Sequence, residues 1–504
     1  MDPLGTITKY YPFLEKEIQT ILDSLMKEST SYYDFVHRLA QYVLENEGDL
    51  HLAYLAAVHV SKIRETELIQ DIATKYSNTH HVKLWGYRPG LELDSPGLIG
   101  PSQSGDRMDR FNREVMEALR SSSEDWIQTE ILISQACSLS GFPFQEAQTI
   151  LDQIRNLREK NANLRCFEPQ VYSFEGFAKR RELPPEDLVP ILEMGLSISK
   201  EFGDTLSEVD ILSTMAWVMR DLDIMKASTL YEEAYSLAQD LEVPFLIADV
   251  MSDTALVYEL TGEYDLAIAC HLEGIEIYNL SHPTVPYLIL SRIYSRLGNG
   301  QKALNYANRA ALLLSDMTFP SFHLRRARAL ILLDRLEEAE HHLEAAYSQI
   351  LKSDLEIYLS NYYHMCGQYE QAKGNLPNAL NELEKSFEIE ERHRRVFWGL
   401  DVLFSLADVE QSIIMQSGQD ADLCLPGPWM TKLETQLNVH GFPGLLMQFA
   451  LLKSKFYQHA GQYLDARQTL ADALKLSDSN GVRTLRLMIK EKIFELERLI
   501  QKST

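Results

Sequence analysis

Thr254-Ala255-Leu256-Val257-Tyr258-Glu259-Leu260-Thr261-Gly262-Glu263-Tyr264-Asp265-Leu266-Ala267-Ile268 is the stretch that decides the fold. Apolar residues recur at helical spacing on both sides of Gly262. Glycine tolerates the left-handed backbone that ends one helix and lets the chain turn into the next. Ala255 before the turn and Ala267 after it are small enough for two antiparallel helices to approach closely. Tyr258 and Tyr264 are large enough to fill the space beside them. The segment therefore predicts a helical hairpin.

The same skeleton returns along the chain. Ser291, Tyr294, Gly298 and Ala303 follow 36 residues on. After another 36 come Ala327, Leu330, Asp334, Leu336 and Ala339, with aspartate in place of the turn glycine. Gly374, Leu376 and Ala379 lie 40 residues further. Forty residues before the first copy stand Leu222, Ile224 and Ala227, followed by Tyr231 and Ala234. Ser454, Tyr457, Gly461, Tyr463, Ala466, Leu470 and Ala473 form another good copy, and Gly141, Phe144, Ala147 and Leu151 a looser one. A difference of four residues is about one helical turn at ~3.6 residues per turn, so the inward face is nearly preserved. One hairpin cannot bury its apolar face alone, and stacking solves this.

This pattern resembles the tetratricopeptide repeat, in a form longer than its usual ~34 residues. It is similar to the long repeats of bacterial and archaeal helical regulators and of kinesin light chains. The resemblance covers residues of about 125 to 500, most firmly 248–390 and 447–478. It implies an all-α fold, a tetratricopeptide-like helical-hairpin solenoid with a helical N-terminal region. It also implies a scaffold or adaptor that binds a protein or peptide in the concave groove, without a cofactor.

Bulk properties agree with a folded array. At 504 residues the chain exceeds the ~250–300 at which a single core stops growing. It is 45% hydrophobic and 24% charged. A formal net charge of −25 repels nucleic acid and anionic lipid, so neither is expected as a partner. Cys137, Cys166, Cys270, Cys366 and Cys424 are scattered, as in a reducing compartment. The start, Met1-Asp2-Pro3-Leu4-Gly5, is unlike a signal peptide, and no apolar run is long enough for a membrane span. A cytoplasmic protein is expected.

Three regions are expected: a helical N-terminal region at 1–85, a Gly/Pro/Ser-rich linker or long loop at 86–122, and the repeat array with a C-terminal capping helix at 123–504. Residues 86–106 are rich in helix breakers. A second break, with Pro426, Gly427, Pro428, Gly441, Pro443 and Gly444, suggests a distorted helical pair at 416–445.

Catalytic and metal motifs are missing. His80-His81 and His341-His342 are adjacent pairs, and neighbours on a helix face different ways, so no metal is expected. Gly100 through Asp106 lacks the lysine and flanking strand of a phosphate loop. No nucleophile motif is present, and no enzyme is expected. The segment Leu55–Ile63 has some likeness to a helix-turn-helix core, but residues 1–88 carry twelve acidic against nine basic side chains. The alternative to a scaffold is a peptide- or ligand-sensing regulator with the N-terminal region as effector module. Partner identity and oligomeric state are not readable.

One set of candidate binding residues stands out. The inward positions of a first helix lie about 13, 10, 9, 6, 3 and 2 residues before the turn. Before Gly298 they include Arg292 and Arg296, and before Asp334 they include Arg325 and Arg328. These four arginines suit bidentate capture of a peptide carboxylate or acidic side chain. They also suit pairing with the chain's own carboxylates, such as Asp253. The residues at the carboxylate-clamp positions before Gly262 are Ser252 and Leu256, unlike the lysine and asparagine of the chaperone-tail clamp.

Overall fold

A computed structural model describes residues 14–46, 49–79, 82, 85, 115, 117–119, 124–138, 144–180, 183–220, 222–277, 284–312, 320–353, 356–393, 395–416, 427–480 and 483–503. Among these, the regular structure is helical throughout, with no strand. Most of 86–122, the His80-His81 pair and Gly141 lie outside the described residues.

Contacts divide the chain into two compact units. One comprises Met1–Arg220, Met225–Asp253 and Gly274–Pro283; the other comprises Asp221–Ile224, Thr254–Glu273 and Thr284–Thr504. The first unit holds α1 (Lys16–Glu28), α2 (Tyr32–Glu45), α3 (Leu50–Lys62), α4 (Thr66–Lys75), α5 (Asp125–Ser138), α6 (Phe144–Lys160), α7 (Glu168–Lys179), α8 (Pro185–Phe202), α9 (Thr205–Met219) and nearly all of α10 (Ile224–Leu241). The boundary passes through α11 (Pro244–Thr261) and α12 (Tyr264–Ile277). The second unit continues with α13 (Thr284–Arg296), α14 (Gly300–Leu312), α15 (Pro320–Leu332), α16 (Leu336–Ser353), α17 (Glu356–Ala372), α18 (Leu376–Arg392), α19 (Val396–Gln416), α20 (Pro428–His440), α21 (Pro443–His459), α22 (Tyr463–Asn480) and α23 (Arg483–Ser503).

In the first unit, α3 is buried at every position from Leu52 to Ser61. Two buried polar groups on it are satisfied: His59 Nδ1 shares a 2.7 Å hydrogen bond with Tyr32 Oη, and Ser61 has a partner of its own. A helix enclosed on all sides cannot enter a DNA groove, so the likeness of Leu55–Ile63 to a recognition element does not extend to exposure. The chain leaves α3 through Arg64, at φ +57. Arg64 N donates to Ser61 O and Glu65 N to Val60 O, each at 3.3 Å. This closure needs a left-handed residue, and arginine supplies it without the glycine that would mark it in sequence.

The repeat turns of the second unit share that closure. At Gly262, φ is +87; Gly262 N donates to Glu259 O at 3.2 Å and Glu263 N to Tyr258 O at 2.7 Å. Gly298, Gly374 and Gly461 repeat it with φ of +71, +79 and +74. Asp334 does so at φ +57, with Asp334 N on Ile331 O and Arg335 N on Leu330 O. Aspartate tolerates this conformation better than most side chains, so the substituted repeat keeps its hairpin. The alanines expected at helix crossings, Ala255, Ala267, Ala303, Ala327, Ala339, Ala379 and Ala466, are all fully buried. The fold is a tetratricopeptide-like stack of helical hairpins. Within the expected break, α20 packs against α19, and the Glu410 carboxylate of α19 accepts the otherwise orphaned Trp429 and Met430 amides of α20 at 3.0 Å.

The second unit closes on itself. Its earliest hairpin, around Gly262, packs against its last helices. Tyr264 and Ala267 share one core with Met447 of α21, Ala466 and Leu470 of α22, and Leu485, Ile489 and Leu496 of α23. Gln448 Nε2 donates to Tyr264 Oη, and Thr484 Oγ1 to Asp265 Oδ2 at 2.6 Å. Backbones meet at this seam: a Cβ placed on Gly444 would lie 2.3 Å from Gly262 N. The stack is therefore a ring of hairpins, and its first helices face the interior.

Candidate functional site: a charged interior in the second unit

Four first helices, α13, α15, α17 and α19, bring polar side chains together inside the ring. Arg292 and Arg296, one turn apart on α13, and Arg325 and Arg328, three apart on α15, project from the same sides of their helices. All four arginines predicted as inward-facing are thus gathered in one cluster. Two of the chain's own carboxylates meet them. Arg292 Nη2 lies 2.5 Å from Glu259 Oε1, and Arg296 Nη1 lies 3.6 Å from Glu259 Oε2. Arg296 Nη2 lies 3.1 Å from Asp401 Oδ1, and Arg328 Nη1 lies 3.5 Å from Asp401 Oδ2. Asp253 belongs to the other unit, where Arg180 and Arg220 face it.

Aromatic rings and neutral polar groups complete the interior. The Arg296 guanidinium lies 4.7 Å from the Phe397 ring centre, and Arg292 lies 5.2 Å from that of Trp398. On α17, His364 Nε2 hydrogen-bonds Ser405 Oγ of α19 at 2.9 Å, and Gln368 Nε2 donates to the same oxygen at 3.2 Å.

Burial and local charge set the ionisation. Desolvation opposes a charge on Asp401, but Arg296, Arg328 and Arg292 outweigh it and hold its carboxyl well below the usual range. Desolvation likewise opposes the Arg296 cation, and Asp401 and Glu259 reverse the effect, raising its pKa. For Arg325 the help from Asp401 is outweighed. Burial, with Arg292 and Arg328 alongside, pushes it down to about 9. His364 is lowered to about 4, mainly by burial; Asp401 resists the fall and the arginines promote it. At neutral pH the interior thus holds charged arginines, an ionised Asp401 and a neutral His364.

Asp401, His364, Phe397 and Trp398 are members of the cluster that the sequence reading did not single out. His364 was within reach: it stands ten residues before Gly374, at one of the inward positions. Asp401 lies on α19, ahead of the break, where no turn glycine gives a register. Among the described residues no group of three or more His, Cys, Asp or Glu side chains is arranged for a metal ion, and no helix is long and apolar enough to cross a membrane.

No protein-family profile and no curated protein matches the chain. Solved structures do. A Rap protein complexed with Competence and Sporulation Factor is 12% identical, matched over 75% of this chain and 99% of that one, with a TM-score of 0.39. The apo quorum sensor NprR from B. thuringiensis is 13% identical over 72% of this chain and 99% of that one, with a TM-score of 0.46. A signal-transduction ATPase with a tetratricopeptide repeat sensor, from Pyrococcus horikoshii, is 16% identical over 66% of this chain and 54% of that one, with a TM-score of 0.39. These are likenesses of helical repeat architecture and say nothing of what this chain binds.

Proposed function

We propose that the chain is a protein- or peptide-binding repeat scaffold of the cytoplasm, and that its second unit receives an acidic group of the partner at Arg292, Arg296, Arg325 and Arg328. The carrying observation is the character of the inward faces. A stack that only needed to be stable would line its interior with aliphatic side chains. Instead α13, α15, α17 and α19 place guanidinium, imidazole, amide and hydroxyl groups there, and Arg325 and Arg328 keep part of their surface open. Guanidinium forks suit carboxylates, and the nearby Trp398 suits an apolar neighbour on the same ligand.

The same groups argue against catalysis. A general acid or base works best with a pKa near the operating pH. Asp401 is held ionised and His364 neutral, so neither is poised to exchange a proton at pH 7. In this reading residues 1–85 form an N-terminal helical region, 86–122 a connecting segment and 123–504 the repeat array.

The test is fluorescence anisotropy with a labelled Glu/Ala decapeptide and its Gln/Ala counterpart at low salt. The acidic peptide is expected to bind, and Arg325→Glu to weaken it about tenfold or more, in line with loss of one charge-assisted hydrogen bond. Equal binding of both peptides, or an unaffected Arg325→Glu variant, refutes the reading.

A further inference from the structure

The interior of the second unit carries more positive charge than its own carboxylates neutralise. Arg292, Arg296, Arg325 and Arg328 face Glu259 and Asp401: four positive charges against two negative, a surplus of two. The neighbouring Arg395 does not alter the balance, since it pairs with Glu390 at 3.2 Å.

The surplus is localised. Arg292, Arg296 and Arg328 each reach a carboxylate, whereas among the described residues none lies within ion-pair distance of Arg325. Donors are also left over. Nε of Arg292 and Nε of Arg296 are buried without a hydrogen-bond partner, on side chains that are almost wholly enclosed. Buried charged donors without acceptors are costly, and here they lie one turn apart on α13, beside a Glu259 Oε2 that is itself without a hydrogen bond. Arg325 is nevertheless partly open to solvent, so an acceptor has a way in.

The form of the surplus bears on the ligand. Arg292, Arg328 and Arg296 all lie close enough to Arg325 to disfavour its charge. The two excess charges therefore occupy one small region rather than two separate ones. A single compact dianion satisfies such a region, whereas a lone carboxylate leaves one charge uncompensated.

We propose that the interior of the second unit binds one phosphoryl-type dianion, anchored by Arg325 with Arg292 and Arg328 as its neighbours. Inorganic phosphate and a phosphorylated side chain present the same oxygens and the same charge, of about −1.5 to −2 at pH 7 for the latter. The site thus differs from the acidic-segment site of the scaffold reading in the charge it demands, and stands without it.

The full chain in phosphate-free buffer is titrated with inorganic phosphate and, at matched ionic strength, with acetate. Thermal unfolding and phosphorus NMR line width are read together. Phosphate is expected to raise the unfolding midpoint saturably and acetate to leave it unchanged. Arg325→Gln, which removes an unpaired cation, is expected to fold as well as the parent and to need about tenfold or more phosphate for the same response. Arg325→Lys keeps the charge without the fork and should fall between the two. N-acetyl-phosphoserine methylamide separates the sources. Tighter binding than inorganic phosphate means that the group arrives on a protein, and weaker binding that it arrives free; both uphold the site. The proposal is overturned if acetate matches phosphate, if millimolar phosphate has no effect, or if Arg325→Gln binds phosphate like the parent. A chain that binds the acidic decapeptide but ignores phosphate loses this inference alone.

Discussion

Clustered acids behave in opposite ways in the two units. In the first unit Asp210, Asp249 and Asp253 lie close together, with Asp204 nearby. Desolvation and the neighbouring Asp249 raise Asp210 to about 7 and Asp253 to about 6, and Arg64, Arg180 and Arg220 offset this only in part. In the second unit Asp401 is more enclosed than Asp210 or Asp253, and yet it is held far below its ordinary value, because three arginines surround it. Burial alone would raise it, so the sign of its shift follows the local balance of charge. The acid cluster of the first unit has carboxylates to spare, and the interior cluster of the second has guanidiniums to spare.

Four substitutions probe this contrast. The largest effect is expected from Asp401→Asn. It leaves Arg296 and Arg328 without their shared carboxylate, and breaking a buried pair from one side costs about 3–5 kcal/mol. Urea unfolding at pH 7.5 measures it, and a cost under ~1 kcal/mol would mean that water screens the cluster. Because the folded pKa of Asp401 is lowered, its contribution is present above the ordinary carboxylate range and is lost as the pH falls towards the folded value. The gap between parent and variant should therefore shrink in acid.

Gly444→Ala comes next. Its methyl would meet the backbone at Gly262, which cannot give way as a side chain can, at a cost of about 1–3 kcal/mol. If ring closure is what encloses the arginines, the double variant with Asp401→Asn should lose less than the two single losses combined. Strict additivity in urea unfolding would separate the seam from the cluster.

Arg325→Gln should cost nothing in anion-free buffer and can stabilise by up to ~1 kcal/mol, since it relieves like-charge crowding in a desolvated site. A marked loss of stability would reveal an unpaired cation that is structural after all.

The smallest effect is expected from Asp210→Asn, within ~0.5 kcal/mol at pH 7.5 because the side chain is exposed enough for water to screen it. Its signature is pH dependence. A folded pKa raised to about 7 means that stability is fully present below the ordinary carboxylate range and is lost as the pH rises through 7. The parent should gain stability between pH 7.5 and 5, and the variant should gain less.

What could be read from the chain without coordinates was local. The turns at Gly262, Gly298, Gly374 and Gly461 carry their own signal, because glycine is the residue that a left-handed helix end favours. Asp334 was legible as a substitute at the same register. Arg64 was not, since an arginine in that conformation leaves no mark in the sequence. The four arginines followed from counting back to each turn, and the same count from Gly374 reaches His364. Asp401 is different in kind. It meets Arg296 because the ring curves far enough to bring α19 opposite α13, and that curvature accumulates from small rotations between hairpins. No single repeat encodes it.

The seam between Gly262 and Gly444 also sets the order in which the second unit can be completed on the ribosome. Open repeat arrays can nucleate anywhere and grow by adding neighbours. Here the hairpin around Gly262 is synthesised first, and its packing partners on α21, α22 and α23 emerge much later, with Gln448 following Tyr264 by 184 residues. Until then Tyr264 and Ala267 lack the surfaces that bury them, and the arginines of α13 are without the α19 aspartate. Closing so distant a contact carries the kinetic penalty of long-range topology. The interval between emergence and closure is a period of exposed apolar surface, the condition under which larger chains draw on chaperones.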